Sequence, residues 1–588
     1  MCTNRVLVSP FRRADITNLV TRLQQLGPTI AELCQITGMA GLSLGVMHHG
    51  QVIHTANFGY RDITARIAPN ENTTFVIGSL TKAITAAMAG ILVEQRKLEW
   101  TTMLRDVIPE FQREHDDPAA NITMEDLLSH RTGLPGLDGL WLLSGGAVAL
   151  NHADVIAVLG SAPVAKALRS EFLYNNFGYE VVGQVIAKRS GIPYEAFLEQ
   201  HILRPLGMDR TYYTTPRLDA ENAAKAYACF LNLTQVEIPQ PLEGKDIAIG
   251  AAGGVRSSVR DLLALDRAFL DAFSTHFGEG GYSASDVYAN GNPVKQVPEL
   301  WSSMIRLPST SFREHSYALG WTRAQLPQDL GVPGTDYVTV GKGAACAASR
   351  TLLYHEGSIP GFFSFNALLP EESSAVVVLG NSHSLAEPTK LIGALLIETL
   401  IHSTVNTTAF IEAATVSAGR GRNRVSKLFK WLQHRRNVVR PTRPLASYDG
   451  RYFHPVAGFY IDVKAEAEKL IVSFMGKRED TYELEPYQPD SFFWQMSHDD
   501  YVSKGRYTFS PDYYVLRFGC EDEGRKKMKC LKWKYDDHLQ GDGEVFRAKH
   551  NPHPPREVQH QSFVGSFLGC YRSLGGRVGL ATQYFLSH

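Results

Sequence analysis

Hydrophobic and polar positions follow two different spacings near the start of the chain, and each spacing predicts a type of element. Apolar side chains recur at helical spacing between residues 11 and 38, at Ile16, Leu19, Val20, Leu23 and Leu26. This spacing favours a helix. Residues 41–60 instead alternate apolar and polar side chains on both sides of His49-Gly50. Alternation around a short turn predicts a β-hairpin.

Helix and strand patterns alternate again further along the chain. A helix is predicted to start at Thr123, because Asp126 follows three residues later and can complete a capping box. Residues 351–357 and the β-branched run 373–381 are typical of strands, and residues 388–404 are typical of a helix. Strands at both ends with helices between them predict an α/β fold, in which one sheet joins the N-terminal and C-terminal pieces.

The pattern changes after residue 415. Residues 416–445 are basic and rich in proline at their end, which predicts a linker with one short amphipathic helix. Residues 446–550 carry short strand-like runs between turn residues, and predict a small antiparallel β-barrel. We expect a first domain over residues 1–415, then the linker and the barrel. Residues 551–588 lack periodicity and are expected to form a poorly ordered tail.

Composition limits the partners and the compartment. A net charge of −1 gives no overall field that would attract nucleic acid. The sequence contains no uninterrupted run of about 18 apolar residues, so no membrane span is predicted. The N-terminus also lacks the apolar core of a signal peptide. The seven cysteines are scattered without a CxxC pair, so free thiols are expected and no zinc site is encoded locally. We therefore expect a cytoplasmic protein without a metal or cofactor.

Ser79 and Lys82 open a run of helix-favouring residues. Their spacing is expected to place both side chains on one face at the helix start. A lysine amine then lies within hydrogen-bond reach of a serine hydroxyl, and the positive end of the helix lowers the pKa of the ammonium group. Alone, Ser-x-x-Lys is a common pattern and a weak signal for nucleophilic catalysis.

Two further patterns carry groups that suit acyl transfer. Tyr174 offers a phenol that can relay a proton beside a lysine, and Asn176 an amide that can orient the lysine or a substrate carbonyl. On the predicted strand 351–357, His355 is followed by Gly357, which lets a substrate approach the strand edge. The next backbone N–H, that of Ser358, can polarise a carbonyl oxygen together with the N–H of Ser79.

The order of these motifs, Ser-x-x-Lys, then Tyr-x-Asn, then His-x-Gly, resembles the serine β-lactamase and penicillin-binding protein superfamily. The chain is similar above all to its class C β-lactamase-like branch, which includes esterases, D-aminopeptidases and acyltransferases. The resemblance covers about residues 35–400, through ITMEDLLSHRTGLPG, YNNFGYEVVGQVIAKRSG and HEGSIPGFFSFNALLP among others. It implies an antiparallel sheet flanked by helices, with an all-helical lobe. Through YDGRYFHP, residues 448–548 resemble the lipocalin-like C-terminal domains of some members.

By position, the resemblance implies that Ser79 is acylated, Lys82 is its base and Tyr174 is the proton relay. The other site residues would bind substrate: Asn176, His355, Gly357 and Ser358. Two positions depart from true β-lactamases. His355 stands where they carry a lysine, and Glu356 adds a negative charge where a small threonine is common. Both departures argue against antibiotic hydrolysis.

The leading hypothesis is an active-site-serine hydrolase, esterase or acyltransferase that acts on a neutral small-molecule ester, thioester or amide in secondary metabolism. Within the family, a D-aminopeptidase-like amidase is the alternative. From another class, the alternative is a catalytically inactive scaffold of the same fold. The sequence leaves the acyl donor, the acyl acceptor and the oligomeric state open.

Overall fold

The structure, a computed structural model, describes residues 10–548 except 115, 214–219, 243–246, 278–290, 310, 331–337, 342–348, 403 and 520–527. The sheet-containing part and the C-terminal barrel belong to one compact unit that ends at Ala548. The tail expected over residues 551–588 lies outside the described residues. Among the helices of the described part, none is long and apolar enough to cross a membrane.

Helices of the described residues are numbered in chain order. They are α1 (Pro10–Gln25), α2 (Gly27–Thr37), α3 (Thr81–Glu94), α4 (Leu104–Val107), α5 (Met124–Leu128), α6 (Asp138–Trp141), α7 (Asp154–Ser161), α8 (Asn176–Ser190), α9 (Tyr194–Leu198), α10 (Arg204–Leu206), α11 (Gly250–Gly253), α12 (Val259–Phe277), α13 (Val297–Leu300), α14 (Pro388–Ile401), α15 (Thr407–Arg435) and α16 (His498–Ser503).

Strands are numbered in the same way. Those before the barrel are β1 (Gly41–His48), β2 (Gln51–Gly59), β3 (Phe75–Val76), β4 (Tyr212–Tyr213), β5 (Tyr227–Cys229), β6 (Gln235–Glu237), β7 (Val255–Ser257), β8 (Ile305–Arg306), β9 (His315–Tyr317), β10 (Thr322–Leu326), β11 (Gln328–Leu330), β12 (Val338–Val340), β13 (Arg350–Ile359), β14 (Phe362–Leu369), β15 (Ser374–Gly380) and β16 (Ser382–His383). The barrel strands are β17 (Gly450–Phe453), β18 (Tyr460–Glu466), β19 (Lys469–Phe474), β20 (Thr481–Gln488), β21 (Ser491–Phe493), β22 (Val515–Gly519), β23 (Cys530–Trp533) and β24 (Glu544–Ala548).

The main sheet has eight strands in the order β2-β1-β15-β14-β13-β10-β9-β8, all paired antiparallel. It joins the N-terminal hairpin to the late strands, which confirms the predicted α/β architecture. Every residue of β14 and β15 is buried, because both faces of these central strands are covered by helices. Val376 and Val378 pack on the side of α14, whereas Val377 and Leu379 pack on the side of α12.

Local signals set several element ends. The hairpin β1–β2 turns at His49-Gly50 as predicted. Thr123 and Asp126 form the predicted capping box at the start of α5. The single helix expected over residues 11–38 is instead divided into α1 and α2, with Pro28 in the first turn of α2. Proline lacks an N–H donor and is tolerated only in a first turn, so it marks a new helix start.

The basic segment differs most from its prediction. The sequence predicted a linker with one short helix over residues 416–445. In the structure, most of these residues belong to α15, a helix of 29 residues that begins upstream at Thr407. Asn406 caps α15 through its side chain, which accepts a hydrogen bond from the N–H of Ala409. Its inward face is buried at regular spacing, at Phe410, Ala414, Ala418, Val425, Phe429 and Leu432. Packing of this apolar face stabilises a helix far longer than the basic stretch alone indicates.

The C-terminal strands β17 to β24 form a closed barrel, in which β17 pairs with β24. This confirms the predicted antiparallel barrel. Inward and outward residues alternate along β18 and β19. Large aromatic side chains fill the interior, including Phe459, Phe474, Trp494 and Trp533. Their core is continuous with that of the helical lobe against which the barrel packs.

Cysteine chemistry departs in part from the expectation of free thiols. Cys34 and Cys229 are free and buried. Burial raises the pKa of the Cys34 thiol to about 12, so this thiol stays protonated and unreactive. Cys530 on β23 is disulfide-bonded. The expectation of free thiols is therefore wrong for Cys530.

Candidate active site

Ser79 lies in a short 3₁₀ turn, Gly78–Leu80, that leads directly into α3. Lys82 occupies the first turn of α3, and its Nζ lies 3.1 Å from Ser79 Oγ. Because the two residues are three positions apart at a helix start, their side chains share one face. The structure thus brings together the first pair of predicted site residues.

Lys82 is completely buried, and its amine touches two further oxygens that can only accept. Its Nζ donates to Asn176 Oδ1 at 2.8 Å and to the carbonyl oxygen of Ala252 at 2.9 Å. Burial lowers the pKa of Lys82 to about 7, against the opposing effect of Asp138. In the neutral amine, two N–H groups serve these two oxygens. The lone pair is then left for the hydroxyl of Ser79.

Tyr174 approaches the same serine from the segment before α8. Its phenol donates a hydrogen bond to Ser79 Oγ at 2.6 Å. Burial raises the pKa of Tyr174, so the phenol is protonated at neutral pH. His130 holds this segment in place, since its Nδ1 accepts from the N–H of Asn175 at 3.0 Å and its ring lies 4.3 Å from that of Tyr174. The contacts with His130 therefore hold the Tyr-x-Asn motif in position.

Asn176 begins α8 and connects Lys82 to a buried carboxyl group. Its Nδ2 donates to Asp138 Oδ1 at 2.9 Å, which fixes the amide so that Oδ1 points at Lys82. Asp138 Oδ1 also accepts from Trp141 Nε1 at 2.9 Å. Burial raises the pKa of Asp138. The sequence does not indicate a role for Asp138, because a single aspartate after a Gly-Leu-Pro turn matches no motif.

His355 lies on β13 and is neutral. Its Nδ1 is 2.6 Å from the carbonyl oxygen of Glu356, so Nδ1 carries the proton. The other nitrogen, Nε2, then accepts from the phenol of Tyr317 at 2.9 Å. Burial, followed by the charge of Lys82, lowers the pKa of His355 to about 3. An imidazole of this kind offers no positive charge to a substrate at neutral pH.

Gly357 allows β13 to approach the turn that holds Ser79. A Cβ at this position would lie 2.1 Å from Ser364 Oγ and 2.2 Å from the carbonyl oxygen of Ile77. The following backbone nitrogen, that of Ser358, lies 3.1 Å from the place a Cβ on Gly78 would take. The backbones of residues 78 and 358 are thus neighbours, as a shared oxyanion site requires.

Glu356, the residue that adds a negative charge at the third motif, is paired with a lysine. Lys390, in the first turn of α14, places its Nζ 3.3 Å from Glu356 Oε2 and 3.2 Å from Glu387 Oε2. Only 3% of the Lys390 side chain is exposed. Burial raises the pKa of Glu356, and the charge of Lys390 opposes this effect. With both carboxylates ionised, the cluster has a formal charge of −1. The sequence does not indicate a role for Lys390, because this residue lies in a pattern that predicts a buried apolar helix.

These residues surround a cavity of about 470 Å³. The predicted residues that line it are Ser79, Tyr174, Asn176, His355, Gly357 and Ser358. Its wall is completed by aromatic and aliphatic side chains, among them Trp141, Phe172, Leu307, Tyr317 and Phe363. The barrel adds Tyr507 and Phe509, and the phenol of Tyr507 lies 3.1 Å from Ser358 Oγ.

A buried ion pair fixes the barrel segment that carries Tyr507. Arg506 Nη1 donates to Asp480 at 3.0 Å and to the carbonyl oxygen of Leu142 in the helical lobe at 3.1 Å. Asp480 in turn accepts from the backbone N–H of Ser144 at 3.1 Å and from its hydroxyl at 2.6 Å. The barrel and the lobe are thus joined by hydrogen bonds beside the cavity.

Comparison with known proteins agrees with this geometry. The family model Beta-lactamase matches residues 26–399, and Domain of unknown function (DUF3471) matches residues 434–532. Unguisins hydrolase ungD of Aspergillus violaceofuscus is 27% identical over 447 residues, which cover 72% of this chain and 74% of that protein. Penicillin-binding protein 4* of Bacillus subtilis is 27% identical over 258 residues, covering 42% of this chain and 55% of that protein.

Among solved structures, the octameric penicillin-binding protein homologue from Pyrococcus abyssi superposes with a TM-score of 0.51 at 22% identity. The match covers 87% of this chain and 99% of that chain, and shows a shared fold. Since the Beta-lactamase model spans more than half of the sequence, the chain belongs to the Beta-lactamase family, within the serine β-lactamase and penicillin-binding protein superfamily.

Proposed function

We propose that this protein is a serine hydrolase that forms an acyl-enzyme at Ser79. The observation that carries the proposal is the convergence of two groups on one oxygen. Lys82 Nζ lies 3.1 Å and the Tyr174 phenol 2.6 Å from Ser79 Oγ. A hydroxyl becomes an effective nucleophile when an adjacent base can take its proton, and Lys82, with a pKa of about 7, is partly neutral at neutral pH.

In the acylation step, Ser79 Oγ attacks the carbonyl carbon of the substrate while its proton passes to Lys82 Nζ. The carbonyl oxygen takes the electron pair of the broken π bond. The backbone N–H groups of Ser79 and Ser358 would stabilise this oxyanion, which the close approach of residues 78 and 358 supports. When the tetrahedral intermediate collapses, the bond to the leaving group breaks and the C=O bond reforms.

The leaving group needs a proton as it departs, and Tyr174 is placed to pass one. Its phenol can give its proton to the leaving atom and regain one from the ammonium of Lys82, whose Nζ lies 4.7 Å from the centre of the Tyr174 ring. Water then attacks the carbonyl carbon of the acyl-enzyme and gives a proton to the neutral amine of Lys82. The bond from this carbon to Ser79 Oγ breaks, and Oγ takes the proton back as the hydroxyl of Ser79. A relative whose name identifies it as a hydrolase of unguisins supports water as the second nucleophile, rather than another acyl acceptor.

We propose a neutral ester, thioester or amide as the reacting group of the substrate. His355 is neutral and gives an anionic substrate no fixed partner at the third motif. The cluster of Glu356, Glu387 and Lys390 carries a net negative charge, which disfavours a substrate carboxylate nearby. The largely aromatic and aliphatic wall suits an apolar acyl group.

The same cluster supports a second candidate, a D-aminopeptidase-like amidase. A substrate ammonium group would meet two carboxylates and one lysine in Glu356, Glu387 and Lys390. The net negative charge would stabilise that ammonium, whereas it gives a neutral acyl group no electrostatic gain. Both candidate activities form an acyl-enzyme at Ser79. They differ in the substrate group that lies near the cluster, which is an ammonium group for the amidase and a neutral group for the esterase.

Covalent labelling tests the proposal. A fluorophosphonate probe should modify the wild-type protein once, and mass spectrometry should place the adduct on the peptide that contains Ser79. Ser79→Ala should remove labelling and lower esterase activity by about 10³-fold or more. The control, Ser161→Ala at the end of α7, should label like wild type. Equal labelling of the Ser79→Ala variant would mean that another residue is the nucleophile, and no labelling of the wild type would support the inactive-scaffold hypothesis.

A further inference from the structure

A hydrogen bond joins the barrel to the loop that precedes α6. Asp536, between β23 and β24, accepts from the backbone N–H of Leu137 through Oδ2 at 2.7 Å. Leu137 has a φ of 57°, in the left-handed region, where a side chain with a Cβ costs free energy. This backbone conformation requires support from outside the loop, and Asp536 supplies an acceptor for its N–H.

Packing on the other side of this loop leaves no room for adjustment. A Cβ on Gly139 would lie 2.2 Å from the carbonyl oxygen of Tyr535 and 2.8 Å from the ring of Tyr513. Both contact residues belong to the barrel part. Residues 137–139, at the start of α6, are therefore held between the barrel and the catalytic site. The barrel can come this close because Gly139 has no side chain.

From this loop, a series of hydrogen bonds leads to the nucleophile. Asp138, next to Leu137, accepts from Asn176 Nδ2 at 2.9 Å. Asn176 Oδ1 accepts from Lys82 Nζ at 2.8 Å, and Lys82 Nζ lies 3.1 Å from Ser79 Oγ. If the amide of Asn176 rotated by half a turn, its NH₂ group would face the lysine, and donor would meet donor.

We propose that Asp536 of the barrel is a positioning residue for the catalytic lysine, acting through Leu137, Asp138 and Asn176. This inference rests on the proposed function of Ser79 and Lys82. Asp536 holds the backbone of Leu137, Asp138 then keeps the amide of Asn176 oriented, and Asn176 aligns the lone pair of Lys82 with the serine hydroxyl. The barrel is in this way part of the active-site framework and not only a wall of its cavity.

Charge gives the proposal a second readout. The ionisable groups that face Lys82 are Asp138 from α6, His130, His355 from β13, and the phenols of Tyr174 and Tyr179. Burial lowers the pKa of both histidines and raises the pKa of both phenols, so these four groups are neutral at neutral pH. Asp138 is the remaining group whose ionisation raises the pKa of Lys82. Displacing Asp138 therefore lowers the pKa of Lys82.

The test compares Asp536→Ala with Asp537→Ala in the full-length protein. Asp537 is the exposed neighbour in the same loop and serves as the matched control. With a p-nitrophenyl ester, Asp536→Ala should lower kcat about 10-fold with little change in KM, since a misaligned base affects the reaction step. Because the charge of Asp536 also raises the pKa of Asp138, the pH profile is compared with that of Asp536→Asn, which lacks the same charge. The acid limb of kcat/KM should lie at lower pH in Asp536→Ala than in Asp536→Asn. Asp536→Asn, which keeps an acceptor oxygen, should recover most of kcat, and Asp537→Ala should match wild type.

A second variant keeps the test decisive if Asp536→Ala lowers the folding stability. Asp138→Asn is nearly isosteric and should fold, yet it removes the charge and should also move the acid limb to lower pH. An unchanged acid limb in Asp138→Asn overturns the proposal, as does a stable Asp536→Ala variant with wild-type kcat and pH profile. Failure of the wild type to label at Ser79 instead refutes the proposed function itself. Wild-type labelling with equally fast labelling of Asp536→Ala refutes only the positioning role.

Discussion

The phenol oxygen of Tyr174 lies 2.6 Å from Ser79 Oγ, closer than the Lys82 nitrogen at 3.1 Å. Burial raises the pKa of this phenol, so it reaches the serine as a donor. Lys82 alone can therefore accept the serine proton at neutral pH. Tyr174 can act only as a relay, which gives its phenol proton to the leaving group and takes another proton from Lys82. The two residues act as one proton-transfer unit.

We expect Tyr174→Phe and Lys82→Ala each to lower kcat by about 10²- to 10⁴-fold, the usual range for a general acid or base. Because the two residues share one proton-transfer path, the double variant should be little slower than the slower single variant. Steady-state kinetics on an activated ester measures all three. Fully multiplicative losses would mean that the residues act in separate steps.

The pH dependence of kcat/KM should report Lys82. Burial lowers the pKa of this amine to about 7, and only the neutral amine can accept the serine proton. Activity should therefore rise with pH through a midpoint near 7. His355 has a pKa of about 3, so His355→Gln should leave the midpoint in place. A midpoint that vanishes in His355→Gln would instead make the imidazole the base.

Substrate preference should separate the two candidate activities. A neutral p-nitrophenyl ester should react faster than nitrocefin, whose carboxylate meets the net negative cluster of Glu356, Glu387 and Lys390. D-alanine p-nitroanilide is the probe for the amidase. If it is the best of the three, and Glu356→Gln lowers its rate without affecting the ester, the D-aminopeptidase-like function is correct. Nitrocefin as the best substrate would contradict the interpretation of His355.

Tyr507 should affect substrate binding more than chemistry. Its phenol lies 3.1 Å from Ser358 Oγ, and its ring lines the cavity from the barrel side. Tyr507→Ala should raise KM for bulky aromatic acyl esters several-fold and leave kcat for acetyl esters close to wild type. Tyr460→Phe, on β18 and away from the cavity lining, is the control. Equal effects on small and bulky esters would instead mean that Tyr507 acts on Ser358, whose backbone N–H is proposed to stabilise the oxyanion.

Removing the buried guanidinium of Arg506 should destabilise the protein. Arg506→Met leaves Asp480 buried without its cation, and breaking such a pair costs about 3–5 kcal/mol of unfolding free energy. The control, Arg451→Met, breaks the ion pair with Asp462 on the barrel surface and should cost about 0–1 kcal/mol. Urea denaturation followed by tryptophan fluorescence measures both. Equal losses of unfolding free energy in the two variants would show that the buried pair of Arg506 and Asp480 stabilises the protein no more than a surface ion pair does.

The sequence predicted those parts of the site whose residues are close together along the chain. Ser79 and Lys82 share a helix turn, and Tyr174 and Asn176 lie at the start of another. The hairpin β1–β2 and the strands β13 and β15 were also predicted, since alternation and β-branched runs are local signals. What these patterns could not predict was which distant groups meet the site.

Asp138 and Lys390 illustrate that limit. Asp138 reaches Asn176 across 38 residues of sequence, and Lys390 reaches Glu356 across 34. Neither belongs to a motif, and both depend on how the elements pack together. The length of α15 was missed for the same reason, because its apolar positions lie among basic residues and stabilise a helix only when they pack against the rest of the fold.

The hydrophobic core runs without a break from the helical lobe into the barrel, through Trp141 and Leu142 to Tyr513 and Trp533. A boundary of this kind makes the two parts a single cooperative unit in unfolding, as expected when buried apolar contacts cross it. The barrel is consequently not an exchangeable module. A chimaera that carries this barrel on the catalytic domain of another family member should fold only if the lobe surface that packs against the barrel is transferred as well.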